Sequence, residues 1–238
     1  MGLIKRLLKA NRRRRKKQRV LQANPHARDM AALGWGQTGS MERRAYPSYE
    51  AYTEHQKAKL GHRNLAKYNP QFIDVLMQRL QSLTPPLAGN VLCLAARSGA
   101  ECVAFIKLGC FAIGIDLNPG EENRHVITGD FHDLQFADRS VDVVYTNSLD
   151  HAFDLDRILK QVSRVLKDEG RFIAEIVDPS RHDRGDYEAT WWSSIDDIVR
   201  AIERGGFTVA GRSTFDQPWQ GTQVVFVKVA AASISQQS

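Results

Sequence analysis

The chain of 238 residues has no apolar run approaching the roughly 20 residues that a membrane-crossing helix requires. Its first eight residues are too few and too charged for a secretory leader, and no small-residue cleavage site follows, so an intracellular, cytoplasmic protein is expected. Cysteine is scarce. Cys93, Cys102 and Cys110 are odd in number and lack paired spacing or histidines in step, which gives neither a disulfide framework nor a metal site. They read as small apolar core residues, and no metal is expected. No internal repeat is visible, which excludes solenoids and propellers.

Acidic residues are absent from positions 1–20, where ten Lys or Arg occur. The other 218 residues carry 23 basic and 27 acidic side chains, a net of −4, so the overall charge of +6 belongs to the N-terminal segment. Leu3, Ile4, Leu7 and Leu8 fall on one helical stripe beside Lys5, Arg6 and Lys9. Such a segment suits an anionic membrane surface, giving peripheral attachment, or nucleic acid or an acidic protein, or it is a solvated tail. Myristoylation at Gly2 is excluded by Arg6 at the position that needs Ser or Thr. A nucleic-acid enzyme usually spreads positive charge over its working face, and this domain is mildly acidic.

Residues 1–45 are expected to form a basic, flexible arm and linker, with 24–45 rich in Gly, Ser, Asn and Arg and poor in periodicity. Residues 46–86 read as two helices, a candidate lid. Ser48 caps the first, which runs to about Leu60; Asn69 and Pro70 open the second, with Phe72, Ile73, Leu76, Met77 and Leu80 at helical spacing. Residues 87–230 then alternate strand and helix. Strands are expected at 91–95, 111–115, 125–128, 141–146 and 171–177, with helices at 99–108, 155–166 and 195–204. A final antiparallel pair follows at 207–212 and 223–229, and a frayed tail at 231–238. Apolar strands alternating with helices imply a doubly wound α/β domain with a mostly parallel seven-stranded sheet.

Ligands bind open parallel sheets beyond the carboxyl ends of the strands. Those ends carry Ala95-Ala96-Arg97-Ser98-Gly99, Asp116-Leu117-Asn118, Gly129-Asp130-Phe131-His132, Asn147-Ser148-Leu149-Asp150-His151 and Asp178-Pro179-Ser180. Small residues in the first turn allow close approach of a ligand, and the helix start near Gly99 suits a carboxylate or phosphate. Asp116 can accept both hydroxyls of a ribose, Asp130 can accept from an exocyclic amine, and Phe131 can cover a ring. Together these describe a site for an adenosine-containing ligand. G-x-G-x-x-G is absent after the first strand, which argues against a nicotinamide-dependent oxidoreductase.

The run GDFHDLQFADRSVDVVYTNSLDHAFDLDRILKQVSRVLKDEGRFIAEI, residues 129–176, resembles the class I S-adenosylmethionine-dependent methyltransferases of the type 11 family. The resemblance covers 91–229 and implies a Rossmann-like fold with S-adenosylmethionine as cofactor. It implies that Ala95, Arg97 and Gly99 wrap the methionine end, that Asp116 holds the ribose with Leu117 against the adenine, that Asp130 and Phe131 take the adenine edge and face, and that Asn147 lines the pocket. Three departures stand out. The family's D-x-G-x-G-x-G loop reads Cys93-Leu94-Ala95-Ala96-Arg97-Ser98-Gly99. About eight residues separate Asp116 from the third strand, too few for the usual helical crossover. The family's K-P-G-G reads Lys167-Asp168-Glu169-Gly170.

Methyl transfer is an in-line displacement, so the acceptor must be aligned and often deprotonated. His132, His151 and His182 lie near the rim, and His151 is the candidate base. The polar stretch 178–194 contains Tyr187, Trp191 and Trp192 and is expected to form the acceptor pocket, unless the tryptophans pack the last helix on the sheet. The acceptor expected is an O or N of a small molecule or a glycan or lipid-linked sugar. The alternatives are an RNA methyltransferase using the basic arm, and a non-catalytic relative permitted by Arg97 and Cys93.

Overall fold

A computed structural model describes residues 25–59, 65–120 and 123–229. In chain order these form α1 (Pro25–Ala31), β1 (Trp35–Thr38), β2 (Met41–Arg44), α2 (Tyr49–Lys57), α3 (Leu65–Gln81), β3 (Asn90–Leu94), α4 (Ala100–Lys107), β4 (Phe111–Asp116), β5 (Val126–Thr128), β6 (Val141–Thr146), α5 (Leu155–Val165), β7 (Leu166–Val177), β8 (Thr190–Trp192), α6 (Ile195–Arg204), β9 (Phe207–Phe215) and β10 (Gly221–Lys228). A 3-10 turn spans Leu149–His151.

The seven-stranded sheet has the order β5-β4-β3-β6-β7-β10-β9. Strands β5 to β7 pair in parallel, and β10 runs antiparallel to both its neighbours. Inner strands are apolar on both faces, and alternate residues supply two cores. Leu92, Leu94 and Val144 point to the side covered by Ile158, Leu159 and Val162 of α5 and Ile198 and Ile202 of α6. Val91, Cys93, Val143 and Tyr145 point to the other, under Phe72, Leu76 and Leu80 of α3 and Phe105 of α4. All three cysteines are buried free thiols on that second side. The chain leaves β3 for β4 and β5 on one flank and returns to β6 on the other. The switch point therefore lies between β3 and β6, at their carboxyl ends.

Several boundaries differ from the sequence reading. Residues 25–44, expected as linker, fold into α1 and a hairpin, and β2 pairs with β8 in a second sheet of order β1-β2-β8, with Met41 opposite Trp192. That partner is about 150 residues away in the chain, and WGQT and MERR carry no apolar alternation to announce a strand. Helix α3 begins at Leu65, so Pro70 lies inside it rather than opening it. Proline there removes one backbone donor near the helix start, where few bonds are yet made. Asn69 does not cap; its amide donates to Ser98 Oγ at 2.8 Å. The Lys167–Gly170 turn is absorbed into β7, whose register against β6 shifts between Val141 and Val143. The missing crossover helix is confirmed: β5 pairs in parallel with β4, and no helix occurs among the described residues between them. No helix among the described residues is long and apolar enough to cross a membrane. The basic segment 1–20 and the tail 231–238 lie outside the described residues.

Candidate functional site

The loop after β3 repeats one backbone feature. Ala95, Arg97 and Gly99 all have positive φ, at 52°, 46° and 79°. These are the three glycine positions of the motif that this loop departs from. The chain therefore keeps a glycine-type path with side chains on it, at a cost of roughly 1–2 kcal/mol per non-glycine residue. The path is held because the loop lies hard against β4: a Cβ on Gly114 would sit 2.7 Å from Ala96 Cβ and 2.9 Å from Cys102 Sγ. Below the loop, buried Glu101 accepts from the Asn147 amide at 3.2 Å. Burial raises its pKa, against the opposing pull of the Arg97 charge.

Asp116 closes β4 at the same rim. Its Oδ2 accepts from Arg97 N at 2.9 Å and its Oδ1 from Asn118 N at 2.8 Å. Each oxygen keeps a further lone pair, so the carboxylate is oriented and still able to accept two hydroxyls. It lines a cavity with Ala95, Arg97, Leu117, Gly129 and Phe131. An acidic acceptor at one end, small residues at the turn and two apolar side chains fit an adenosine group.

Asp130 is placed differently from its neighbours. Its Oδ1 accepts from His132 N and His132 Nδ1, both at 2.8 Å, and its Oδ2 accepts from the Tyr49 hydroxyl in a short contact. His132 Nε2 accepts from Phe153 N and Asp154 N at 3.2 and 3.1 Å. Backbone N–H groups can only donate, so Nδ1 carries the proton and both ring nitrogens of this buried histidine are committed. His132 therefore serves structure and offers no lone pair for catalysis. Burial works to raise the Asp130 pKa, but the hydrogen bonds from His132 and Tyr49 outweigh it and hold the carboxyl below its ordinary value.

Helix α2 roofs the rim. Ser48 Oγ accepts from Ala51 N at 3.2 Å, and Tyr49, Tyr52, Gln56 and Lys59 then fall on one face or just beyond its end. Tyr52 is fully buried and donates to His151 O at 2.9 Å, and Gln56 donates to Tyr187 O at 2.7 Å. Tyr52, Gln56 and Lys59 line the cavity that holds Asp116. Beneath α2, His55 stacks on Tyr187 with centroids 4.6 Å apart and meets the Tyr46 hydroxyl through Nδ1 at 2.7 Å. Burial, aided by the nearby Arg44 charge, pushes its pKa down to about 3.

A second cavity adjoins the first. Lys59, Arg97, Ser148 and His151 line both. Beyond this seam it is lined by Asn147, Asp150, His182, Asp183, Glu188 and Trp191, with Trp219 at its edge. His151 Nδ1 lies 2.9 Å from Tyr187 O, so Nδ1 donates and Nε2 bears the lone pair. That lone pair faces Lys59 Nζ in a short contact, with Asp150 Oδ2 at 3.6 Å. The seam histidine thus meets a lysine, not an open solvent path.

The segment carrying Tyr187 and Glu188 is fixed by Arg44. This buried guanidinium donates to Glu188 O, Gly185 O, Met30 O and Ala31 O at 2.6–3.2 Å, and stacks on Trp35 at 4.8 Å. Downstream, Ala189 N donates to Asp150 O at 2.8 Å and Thr190 Oγ1 to Ala152 O at 2.7 Å. The two tryptophans divide. Trp192 is buried in the sheet core and donates from Nε1 to Val177 O at 3.1 Å. Trp191 stacks on it at 5.8 Å and faces the second cavity.

The structure thus brings together Ala95, Arg97, Asp116, Leu117, Phe131 and His151 around the first cavity. Gly99 caps α4 just behind them, Asp130 engages α2, Asn147 and Trp191 face the second cavity, Tyr187 contributes its carbonyl, and Trp192 belongs to the core. Sequence reasoning missed Tyr52, Gln56, Lys59, Ser148 and Glu188 as site residues. The spacing 49, 52, 56, 59 was the available signal, a polar-aromatic stripe at helical period.

The family model described as a methyltransferase domain matches residues 92–174. No curated protein matches the chain. Among solved structures, 1,6-didemethyltoxoflavin-N1-methyltransferase of Burkholderia thailandensis, with 1,6-didemethyltoxoflavin and S-adenosylhomocysteine bound, is similar at TM-score 0.59 and 14% identity, covering 83% of this chain and 100% of that one. A methyltransferase of Haloferax volcanii in complex with the activator Trm112 is similar at TM-score 0.55 and 19% identity, covering 75% and 98%. A Thermotoga maritima S-adenosylmethionine-dependent methyltransferase gives TM-score 0.54 at 17% identity, covering 72% and 98%.

Proposed function

We infer that this chain, a class I S-adenosylmethionine-dependent methyltransferase, binds its donor in the cavity of Asp116 and its acceptor in the adjoining cavity of Trp191. The observation that carries the division is the seam: four residues line both cavities, and Asp116 stands away from it in the first cavity alone. S-adenosylmethionine supplies an electrophilic methyl group on a sulfonium. The chain's own residues do the rest. Asp116 accepts from the ribose hydroxyls, Leu117 and Phe131 flank the adenine, and the left-handed turn at Ala95, Arg97 and Gly99 takes the methionine end. The Arg97 guanidinium is a charged partner for the donor's carboxylate. Tyr52, Gln56 and Lys59 of the α2 region act as a lid that excludes water and brings the acceptor into line.

The acceptor is proposed to be a small molecule or a sugar-bearing one, methylated at O or N. Two features favour this over RNA. The acceptor cavity carries Asp150, Asp183 and Glu188 against Lys59 and Arg97, an environment that repels a phosphodiester backbone. Outside residues 1–20 the chain carries 23 basic and 27 acidic side chains, so it has no excess of positive charge there. Steeply salt-dependent nucleic-acid binding that disappears on deleting residues 1–20 would reverse that preference.

Calorimetric titration of the full chain with S-adenosylmethionine and S-adenosylhomocysteine tests the donor site. Micromolar binding that collapses in Asp116→Ala supports it. A folded wild-type chain that binds neither would point to a non-catalytic relative, in which the Arg97 side chain fills the place of a glycine.

A further inference from the structure

The acceptor cavity contains a group of side chains that the donor reading does not use. One ligand atom each from Asp150, His151 and Glu188 lie within 4.8 Å of one another. They come from two elements that meet only in the fold: the 3-10 turn after β6, and the strap before β8 that Arg44 holds in place. The turn and the strap are tied together by Ala189 N donating to Asp150 O and by His151 donating to Tyr187 O. The three donors are therefore positioned by backbone contacts and not by chance side-chain approach.

A second observation is independent of that proximity. Glu188 Oε2 is buried and has no hydrogen-bond partner among the described residues. Its carboxylate is pressed onto Gly185, where an added Cβ would lie 2.5 Å from Oε2. A carboxylate oxygen removed from water without a partner is destabilising. His182 Nε2 is also buried without a partner, and its side chain lines the same cavity. At the third donor a cation is already in place: Lys59 Nζ lies against the His151 Nε2 lone pair. Tyr187 O fixes the tautomer that directs this lone pair inward, the arrangement that orients a metal-ligating histidine.

We propose that Asp150, His151 and Glu188 form a divalent-cation site on the acceptor side of the seam. Two carboxylates and one imidazole suit a borderline ion such as Mn²⁺ or Zn²⁺ better than the all-oxygen preference of Ca²⁺. Lys59, on its flexible stem, yields the His151 lone pair when the ion binds. The ion's open positions face the acceptor cavity, and a hydroxyl or carboxyl oxygen of the acceptor fills one of them. Cation binding itself is independent of the donor reading, whereas this role for the ion rests on it. The proposal departs from the expectation drawn from the spacing of cysteines and histidines in the sequence.

The test uses the full chain, stripped with chelator and titrated with Mn²⁺ while the signal of the free ion is followed by electron paramagnetic resonance. One Mn²⁺ per chain is expected. Glu188→Gln and Asp150→Asn should each weaken binding at least tenfold, and Lys59→Met, which removes the competing ammonium, should tighten it several-fold. S-adenosylhomocysteine affinity of Glu188→Gln and Asp150→Asn, whose side chains lie outside the donor cavity, reports that these variants are folded. A wild-type chain that binds neither Mn²⁺ nor Zn²⁺, or a Glu188→Gln variant that binds as wild type does, overturns the proposal. A wild-type chain that binds Mn²⁺ but not S-adenosylhomocysteine would instead overturn the donor reading.

Discussion

Tyr49 donates its hydroxyl proton to Asp130 Oδ2, so the N-terminal helix is anchored on the residue that the family resemblance assigns to the adenine edge. The same carboxylate holds buried His132 through its other oxygen. Asp130 thus joins the lid to the loop after β5, and any contact it makes to a ligand is added to that duty.

Removing the hydroxyl separates the two duties. Tyr49→Phe deletes a hydrogen bond to a charged acceptor, worth roughly 1.5–3 kcal/mol. The ring contacts to Tyr52 and Phe153 remain. The variant should unfold at lower denaturant and be cut faster by protease between residues 46 and 64. Its affinity for S-adenosylhomocysteine should stay near that of wild type, since neither Tyr49 nor Asp130 lines the donor cavity. A tenfold loss of affinity with unchanged protease resistance would show that Tyr49 serves the ligand and not the lid.

His55 gives the lid a pH dependence. Its folded pKa is depressed to about 3, by burial first and the Arg44 charge second, from an ordinary 6.5. The folded state therefore holds the neutral ring, while the unfolded chain takes up a proton below about pH 6.5. Between pH 6.5 and 3 the unfolded state binds more protons, so stability must fall as the solution is acidified through that window. His55→Gln removes the titrating ring. The variant should be less stable at pH 7, and its melting temperature should change less between pH 7 and 4 than that of wild type. Parallel profiles for the two proteins would mean that other groups set the acid limit.

The turn after β3 offers the opposite sign of effect. Ala95 has a φ of 52° and pays for a conformation that glycine adopts freely. Ala95→Gly should therefore stabilise the chain by up to about 1 kcal/mol, the relief being partly offset by the greater freedom of glycine in the unfolded state. Ala95→Val, β-branched at a positive φ, should destabilise it and weaken S-adenosylhomocysteine binding. Chemical unfolding of the three proteins decides the matter, and a destabilised Ala95→Gly would mean that its methyl group packs a contact worth more than the strain.

Much of this was legible in the sequence because it is local. Strand β6 and helix α6 lie where the period of their apolar residues puts them, and Ser48 caps the helix it precedes. Asp116 and Ala95 were identifiable because strand ends are where an open parallel sheet binds ligands. What was not legible is non-local. The hairpin at 35–44 acquires its meaning only from β8, and Glu188 gains its place only because Arg44 reaches it from another part of the chain. The glycine loop was misleading in a different way. Its residue types depart from the motif while its backbone does not, because the packing of Ala96 and Cys102 against Gly114 enforces the path whatever the side chains are.

The two adjacent tryptophans are the sharpest case, since the sequence offered no means of telling them apart. Trp192 turns inward, is 2% exposed and satisfies its indole N–H on Val177 O; Trp191 turns toward the acceptor cavity. Trp192→Ala should cost about 3–5 kcal/mol, as for other large core truncations, and lower the melting temperature sharply. Trp191→Ala should fold with near-native stability, bind S-adenosylhomocysteine as wild type does, and lose turnover through a raised KM for the acceptor. Equal destabilisation by both substitutions would mean that the stacked pair packs as one unit, and the acceptor pocket would then have to be sought on the Trp219 side of the same cavity.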